Sequence, residues 1–267
     1  MRRLFLILSF LFLVNFMVFA ECVLKMGVFP YSNPQKLVTD YSPIAEKISK
    51  DIDCKVKIYT APSYEEYMNK AINLEYDIIV PSVSCIVKLL TNKTPVEVIA
   101  AGYPPFKGAV IVRRDSKIDS LNKIKGIKIA AVGEHSFGGY LFLKYKLQSM
   151  GIDIQRDNFV SFVGKTDNVV ISVLNGKADV GVTRLDVLNE DIYFEARKDL
   201  KVIFESEPIL NFPFVVSKSM DKKLKSSIKQ SLLSYIPDKS DNNLKIEKIA
   251  EANNEDYIIF AKKHNIK

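Results

Sequence analysis

Apolar residues along this chain recur in two rhythms. Residues 23–29, 55–59 and 76–80 are short, strand-length runs, while 41–52, 64–74 and 85–90 repeat their apolar positions at helical spacing. The order is βαβαβ. Such alternation predicts right-handed crossovers and a mainly parallel sheet flanked by helices. Residues 96–101 add a strand, and the bend Gly102-Tyr103-Pro104-Pro105-Phe106-Lys107-Gly108 is too rich in Pro and Gly for either regular element. It is expected to be a linker.

Beyond the bend the alternation resumes. Strands are expected at 109–113, 127–132, 159–163 and 179–183, and helices at 120–125, 136–150, 167–174 and 186–191, with Gly126, Gly151 and Asn175-Gly176 as stop signals. Residues 200–206 with Glu207-Pro208 would cross back, and one strand at 213–216 and three helices would complete the chain. The expected fold class is α/β, two lobes joined by two crossings. Residues 1–20 would be a leader, 21–104 with 208–267 the first lobe, and 105–207 the second. That arrangement can hinge shut on a ligand.

The leader differs from everything after it. Met1-Arg2-Arg3 is basic, residues 4–19 are apolar apart from Ser9 and Asn15, and Ala20 offers a small residue at the cleavage edge, the pattern of a secretory signal peptide. A periplasmic protein is expected. The alternatives are an uncleaved membrane anchor and a lipoprotein signal ending at Cys22, although Glu21 stands where such signals place Gly or Ala. Cys22 and Cys54 each precede one of the first two strands, which should be neighbours, so in an oxidising compartment they are expected to form a disulfide while Cys85 stays reduced.

Composition narrows the chemistry. With 48% apolar and 26% charged residues, 267 residues bury an ordinary core and are not disordered. Two His and three Cys leave little for a metal site or a triad, and no Gly-x-Ser-x-Gly elbow, Walker loop or Cys-x-x-Cys pair is present, so binding without a cofactor is expected rather than catalysis. The net charge of +7 falls to +5 without the leader, which removes Arg2 and Arg3 and leaves 36 bases against 31 acids. A small anion suits that excess. Nucleic acid, which needs a concentrated basic face, does not.

Specific residues then carry a resemblance. Gly27-Val28-Phe29-Pro30, Tyr41-Ser42-Pro43-Ile44-Ala45, Tyr64 with Tyr67, and Asp77-Ile78-Ile79-Val80-Pro81-Ser82 resemble the first lobe of the phosphonate-type periplasmic substrate-binding proteins of ABC importers. The stretches Gly108-Ala109-Val110-Ile111-Val112-Arg113, residues 120–130, Ser136-Phe137-Gly138-Gly139-Tyr140 and residues 174–182 resemble its second lobe. The resemblance implies the type 2 periplasmic-binding-protein fold, a small anionic ligand held between lobes, permease partners in the membrane, and a monomer. The family's helix start carries several hydroxyls that wrap phosphonate oxygens; here Ser136 alone remains beside Phe137, Gly138 and Gly139. The family's His ahead of an Asp is Thr166-Asp167 here, and its Tyr ahead of the first second-lobe strand is Phe106.

Physics places the same residues around a cleft. Ligands of open α/β sheets lie outside the carboxyl ends of strands, so the loops after Phe29, Val80, Val132 and Val163 should converge, bringing Tyr31 and Ser82 toward the turn His135 to Tyr140. That turn opens a helix, whose free N–H groups favour an anion. Ser136 would contact ligand or cap its own helix, and Gly138 and Gly139 would let backbone approach ligand. His135 would lend charge or face solvent, Asp167 would pair with an ammonium group or cap its helix, and Arg184 would fork an oxyanion or pair with Asp186 or Glu190. Lys107 would reach the cleft or stay in the linker. The rival functions are an extracytoplasmic sensor domain that signals to a membrane partner and a transferase built on the same fold.

Overall fold

The computed structural model describes residues 21–188, 193–238, 243–264 and 266. The expected leader and its cleavage site at Ala20 lie outside them. From β1 (Val23–Val28) the chain runs through α1 (Pro34–Ile52), β2 (Lys55–Tyr59), α2 (Tyr64–Ile72), β3 (Ile78–Val80), α3 (Val83–Thr91) and β4 (Val96–Tyr103). α1 begins seven residues before its expected start, because the Asn33 side chain accepts the Lys36 N–H and Pro34 fills the first helical position. β4 absorbs Gly102 and Tyr103 of the expected linker.

The second half holds β5 (Gly108–Arg113), β6 (Lys128–Ala131), a π-turn (Phe137–Leu141) leading into α4 (Phe142–Ser149), β7 (Phe159–Phe162), α5 (Thr166–Leu174), β8 (Val180–Arg184), α6 (Leu185–Leu188) and β9 (Leu200–Glu205). The helix expected at 120–125 is one 3-10 turn, Leu121–Lys123. The chain closes with β10 (Pro213–Ser217), α7 (Lys222–Leu233), β11 (Lys248–Ala250) and α8 (Asn254–Lys263). Where three terminal helices were expected, the described residues hold two and a strand, for β11 pairs antiparallel with β4.

Two mixed sheets result, ordered β11-β4-β10-β3-β1-β2 and β7-β6-β8-β5-β9. Only β2-β1-β3 and β7-β6-β8 are parallel, as the βαβ units demand; β10 and β5 run antiparallel to their neighbours because each enters its sheet from a crossing. The crossings touch. Phe106 and Ile209 exchange both backbone hydrogen bonds, at 3.0 and 2.7 Å, which ties the two crossing segments to each other.

Alternation along each strand feeds a core on both faces. Ile78 packs with Leu37, Tyr41, Ile44 and Ile48 of α1, while its neighbour Ile79 packs with Tyr67 and Met68 of α2 and Ile86 of α3. In the second sheet Gly181 lets α5 lie close, since a Cβ there would stand 2.8 Å from Val169 and Val173. The disulfide Cys22–Cys54, with Cα atoms 4.8 Å apart, ties the starts of β1 and β2. Cys85 is free and buried.

Candidate functional site

The carboxyl ends of the parallel strands of both sheets face each other. The Ser84 hydroxyl, in the first turn of α3, donates to the His135 carbonyl at 2.8 Å, and the His135 ring stacks on Tyr64 of α2 with centroids 3.6 Å apart. His135 is therefore held between the lobes; its side chain is 34% exposed and its Nε2 lies 3.3 Å from Glu134. The ring thus rests on Tyr64 with about a third of the side chain open to solvent. Tyr64 and Ser84 add to the residues expected around the cleft. The signal was present, since Tyr64 heads a helix that follows a strand end and Ser84 lies two places past Ser82.

The turn after β6 is tight and largely buried. Ser136 Oγ accepts the Gly139 N–H at 3.1 Å, so the capping role holds, and the Leu141 N–H reaches back to the Ser136 carbonyl at 3.0 Å, which makes the first turn π rather than α. No hydrogen bond engages the N–H of Phe137 or Gly138 among the described residues. The glycines also answer to their protein neighbours. A Cβ on Gly138 would meet the Phe106 ring at 2.5 Å and Arg184 Cγ at 3.1 Å, and one on Gly139 would meet Val132 at 2.6 Å. Phe137 points away from the cleft into α8, edge-on to Phe260 at 5.1 Å and to His264 at 5.7 Å. The Tyr140 hydroxyl is buried and has no hydrogen-bond partner among the described residues, and burial pushes its pKa up to about 12.

On the first lobe, the Tyr31 hydroxyl donates to Asp40 at 3.1 Å, and Asp40, its side chain 2% exposed, also receives Lys36 Nζ at 3.0 Å. Desolvation first, then the Asp40 charge, raise the Tyr31 phenol well above its usual range, and the Arg184 charge opposes them. Ser82 caps α3 by accepting the Cys85 N–H at 3.3 Å and lies 3.0 Å from the Ser84 hydroxyl.

On the second lobe, Arg184 ends β8. Its Nε and Nη2 reach the Asp186 carboxylate at 3.0 and 2.5 Å, and its guanidinium lies over the Phe106 ring at 3.9 Å. The Thr166 hydroxyl pairs with that of buried Thr183 at 3.0 Å. Asp167 is not the helix cap: that position falls to Lys165, and the Asp167 carboxylate accepts the Tyr193 hydroxyl from within the first turn of α5. Lys107 is engaged with Glu205 at 3.0 Å. A separate open groove of about 410 Å³, between α1 and the edge strand β2, is lined by Val38, Ser42, Ala45 and Tyr59 among others and includes none of these residues.

Residues 26–257 match the family model described as the periplasmic phosphonate substrate-binding protein of ABC transporters. The chain belongs to that family. It is 24% identical over 227 residues to the phosphonates-binding periplasmic protein of Escherichia coli, covering 80% of this chain and 67% of that one. It is 21% identical over 228 residues to a probable phosphite-binding ABC transporter protein of Prochlorococcus marinus, covering 80% and 76%. The crystal structure of the Prochlorococcus protein PhnD1 with methylphosphonate superposes with a TM-score of 0.77 at 19% identity, covering 92% of this chain and 99% of that one. A binding component of a Pseudomonas aeruginosa phosphonate transporter superposes at 0.74 and 19%, covering 92% and 86%. At these identities the superpositions show the two-lobed fold, and the members of this family are transport binding proteins.

Proposed function

We propose that this phosphonate-family chain is the exported, monomeric solute-binding component of an ABC importer, capturing a small phosphonate-like oxyanion between a lobe of residues 21–104 with 208–267 and a lobe of 105–207. The convergence of strand ends from both sheets on the turn His135 to Tyr140 carries the reading. Residues 1–20 serve as a cleaved signal peptide, and no helix among the described residues is long and apolar enough to cross a membrane. The N–H groups of Phe137 and Gly138 would face the oxyanion with the positive end of the helix dipole behind them. Arg184 and Tyr31 would close on it from opposite lobes. The bound solute passes to permease subunits unchanged, without cofactor or turnover.

Titration calorimetry of the mature protein against methylphosphonate, phosphite, phosphate and an alkanesulfonate tests this. Saturable binding of a phosphorus oxyanion with a smaller scattering radius is expected. Binding of none of them, or binding without contraction, would overturn it.

A further inference from the structure

Arg184 has an unspent half. Of the five N–H donors of a guanidinium, Asp186 takes the two along the Nε–Nη2 edge, and one face rests on Phe106. The Nη1 edge makes no hydrogen bond among the described residues, and the side chain is 28% exposed. Three observations place Arg184 beside the cleft. Arg184 is the last residue of β8, a strand parallel to β6, so it leaves the sheet on the same side as the turn at Ser136. Its Cγ lies 3.1 Å from where a Gly138 side chain would begin. Its charge also reaches the Tyr31 phenol of the opposite lobe.

Resting on the reading given above, we propose that Arg184 is the specificity residue of this site. With Asp186 as the positioning residue, it makes the cleft select phosphonates whose remaining substituent is neutral or anionic, and reject those carrying an ammonium group. Asp186 holds the guanidinium from the side, leaving an end-on fork that fits two oxygens of one oxyanion. A cationic substituent entering at the Nη1 end meets guanidinium N–H donors, because the Asp186 oxygens that balance the charge lie on the Nε–Nη2 edge. The nearby carboxylates each have a partner: Asp186 has Arg184, Asp40 has Lys36 and Tyr31, Asp167 has the Tyr193 hydroxyl, and Glu134, in the turn itself, has His135 Nε2 at 3.3 Å. Asp167, whose partner is a neutral hydroxyl on the Arg184 lobe, is the group chosen to test for a competing ammonium site.

Calorimetric dissociation constants for methylphosphonate, phosphonoacetate and 2-aminoethylphosphonate should be measured for the natural protein and for Arg184→Gln, Arg184→Lys and Asp167→Asn. The natural protein should bind the first two about tenfold or more tighter than the amine. Arg184→Gln should weaken methylphosphonate by about 10- to 100-fold, the range for one charge-assisted hydrogen bond, and should remove the discrimination. Arg184→Lys should keep the ranking while weakening all three. Thermal midpoints separate lost binding from lost folding, and Arg184→Lys carries the test if Arg184→Gln is unfolded. Preference of the natural protein for the amine, lost in Asp167→Asn, would overturn the proposal, as would an Arg184→Gln protein with unchanged ratios; both leave the phosphonate reading standing. Failure of all three to bind would sink both.

Discussion

His135 lies nearly flat on Tyr64, ring planes 19° from parallel and centroids 3.6 Å apart, although one ring follows β6 of the second sheet and the other heads α2 beside the first. Ser84 reinforces the contact from α3 through the His135 carbonyl, and Lys88 Nζ lies 5.5 Å from the Tyr64 ring centre. The stack and the Ser84 hydrogen bond join elements of the two sheets, so parting the lobes would break them. They add to closure whatever the ligand adds, because only interactions present in one state bias a two-state hinge.

The double substitution Tyr64→Ala with Ser84→Ala should therefore favour the open form. One neutral hydrogen bond and one aromatic pair together contribute about 1–3 kcal/mol. In small-angle scattering without ligand the radius of gyration should rise, and affinity should fall because the closed form is scarcer. An unchanged radius and affinity would mean the stack is not a closing contact.

The fold was more legible than the site, for a physical reason. Strands such as Lys55–Tyr59 and helices such as α5 are written in local periodicity, and the crossing strands were placed by the Pro and Gly around them. Register against a distant partner is not local, so β11 and the antiparallel insertion of β10 between β3 and β4 left no trace in their own residues. Ser136 gave away its cap but not the π-turn, which depends on the fit of Gly138 and Gly139 against Phe106 and Val132. Tyr64 and Ser84 belong to the site through lobe closure, a relation that no window of sequence contains.

Thiol chemistry should separate the three cysteines. Denatured without reductant, the protein should show one free thiol, and natively Cys85 should resist alkylation at pH 8, since burial pushes its pKa up to about 12. Reducing Cys22–Cys54, 32 residues apart, should cost about 3–4 kcal/mol in the chain-entropy picture and lower the thermal midpoint. Three reactive thiols in the denatured protein would exclude the bridge.

Gly138→Ala should do more damage than Ser136→Ala, and of a different kind. The added methyl overlaps the Phe106 ring at 2.5 Å and presses on Arg184, an overpacking that costs about 1–3 kcal/mol and displaces both side chains from the cleft. Ser136→Ala removes one cap, about 0.5–2 kcal/mol, and leaves Phe106 and Arg184 in place. Melting curves and methylphosphonate titrations of the two variants should thus diverge in affinity more than in midpoint. Equal affinities would show that the packing of Phe106 and Arg184 does not matter to binding.

His264 should make the join between α8 and the second lobe sensitive to acid. Its ring packs on Phe260 at 4.4 Å and on Phe137 at 5.7 Å, and its Nε2 is buried with no hydrogen-bond partner among the described residues. Burial first, then the Lys263 charge, lower its pKa below the usual value near 6.5, with Glu207 opposing. A histidine with a depressed folded pKa is protonated more readily in the unfolded chain, so stability is complete above the ordinary value and declines as pH falls through it, levelling off below the folded value. His264→Phe keeps a ring and removes the proton site. The midpoint difference between the natural protein and His264→Phe should widen in favour of the variant between pH 7.5 and about 5.5. A difference that stays constant over that interval would show that the His264 proton is not linked to folding.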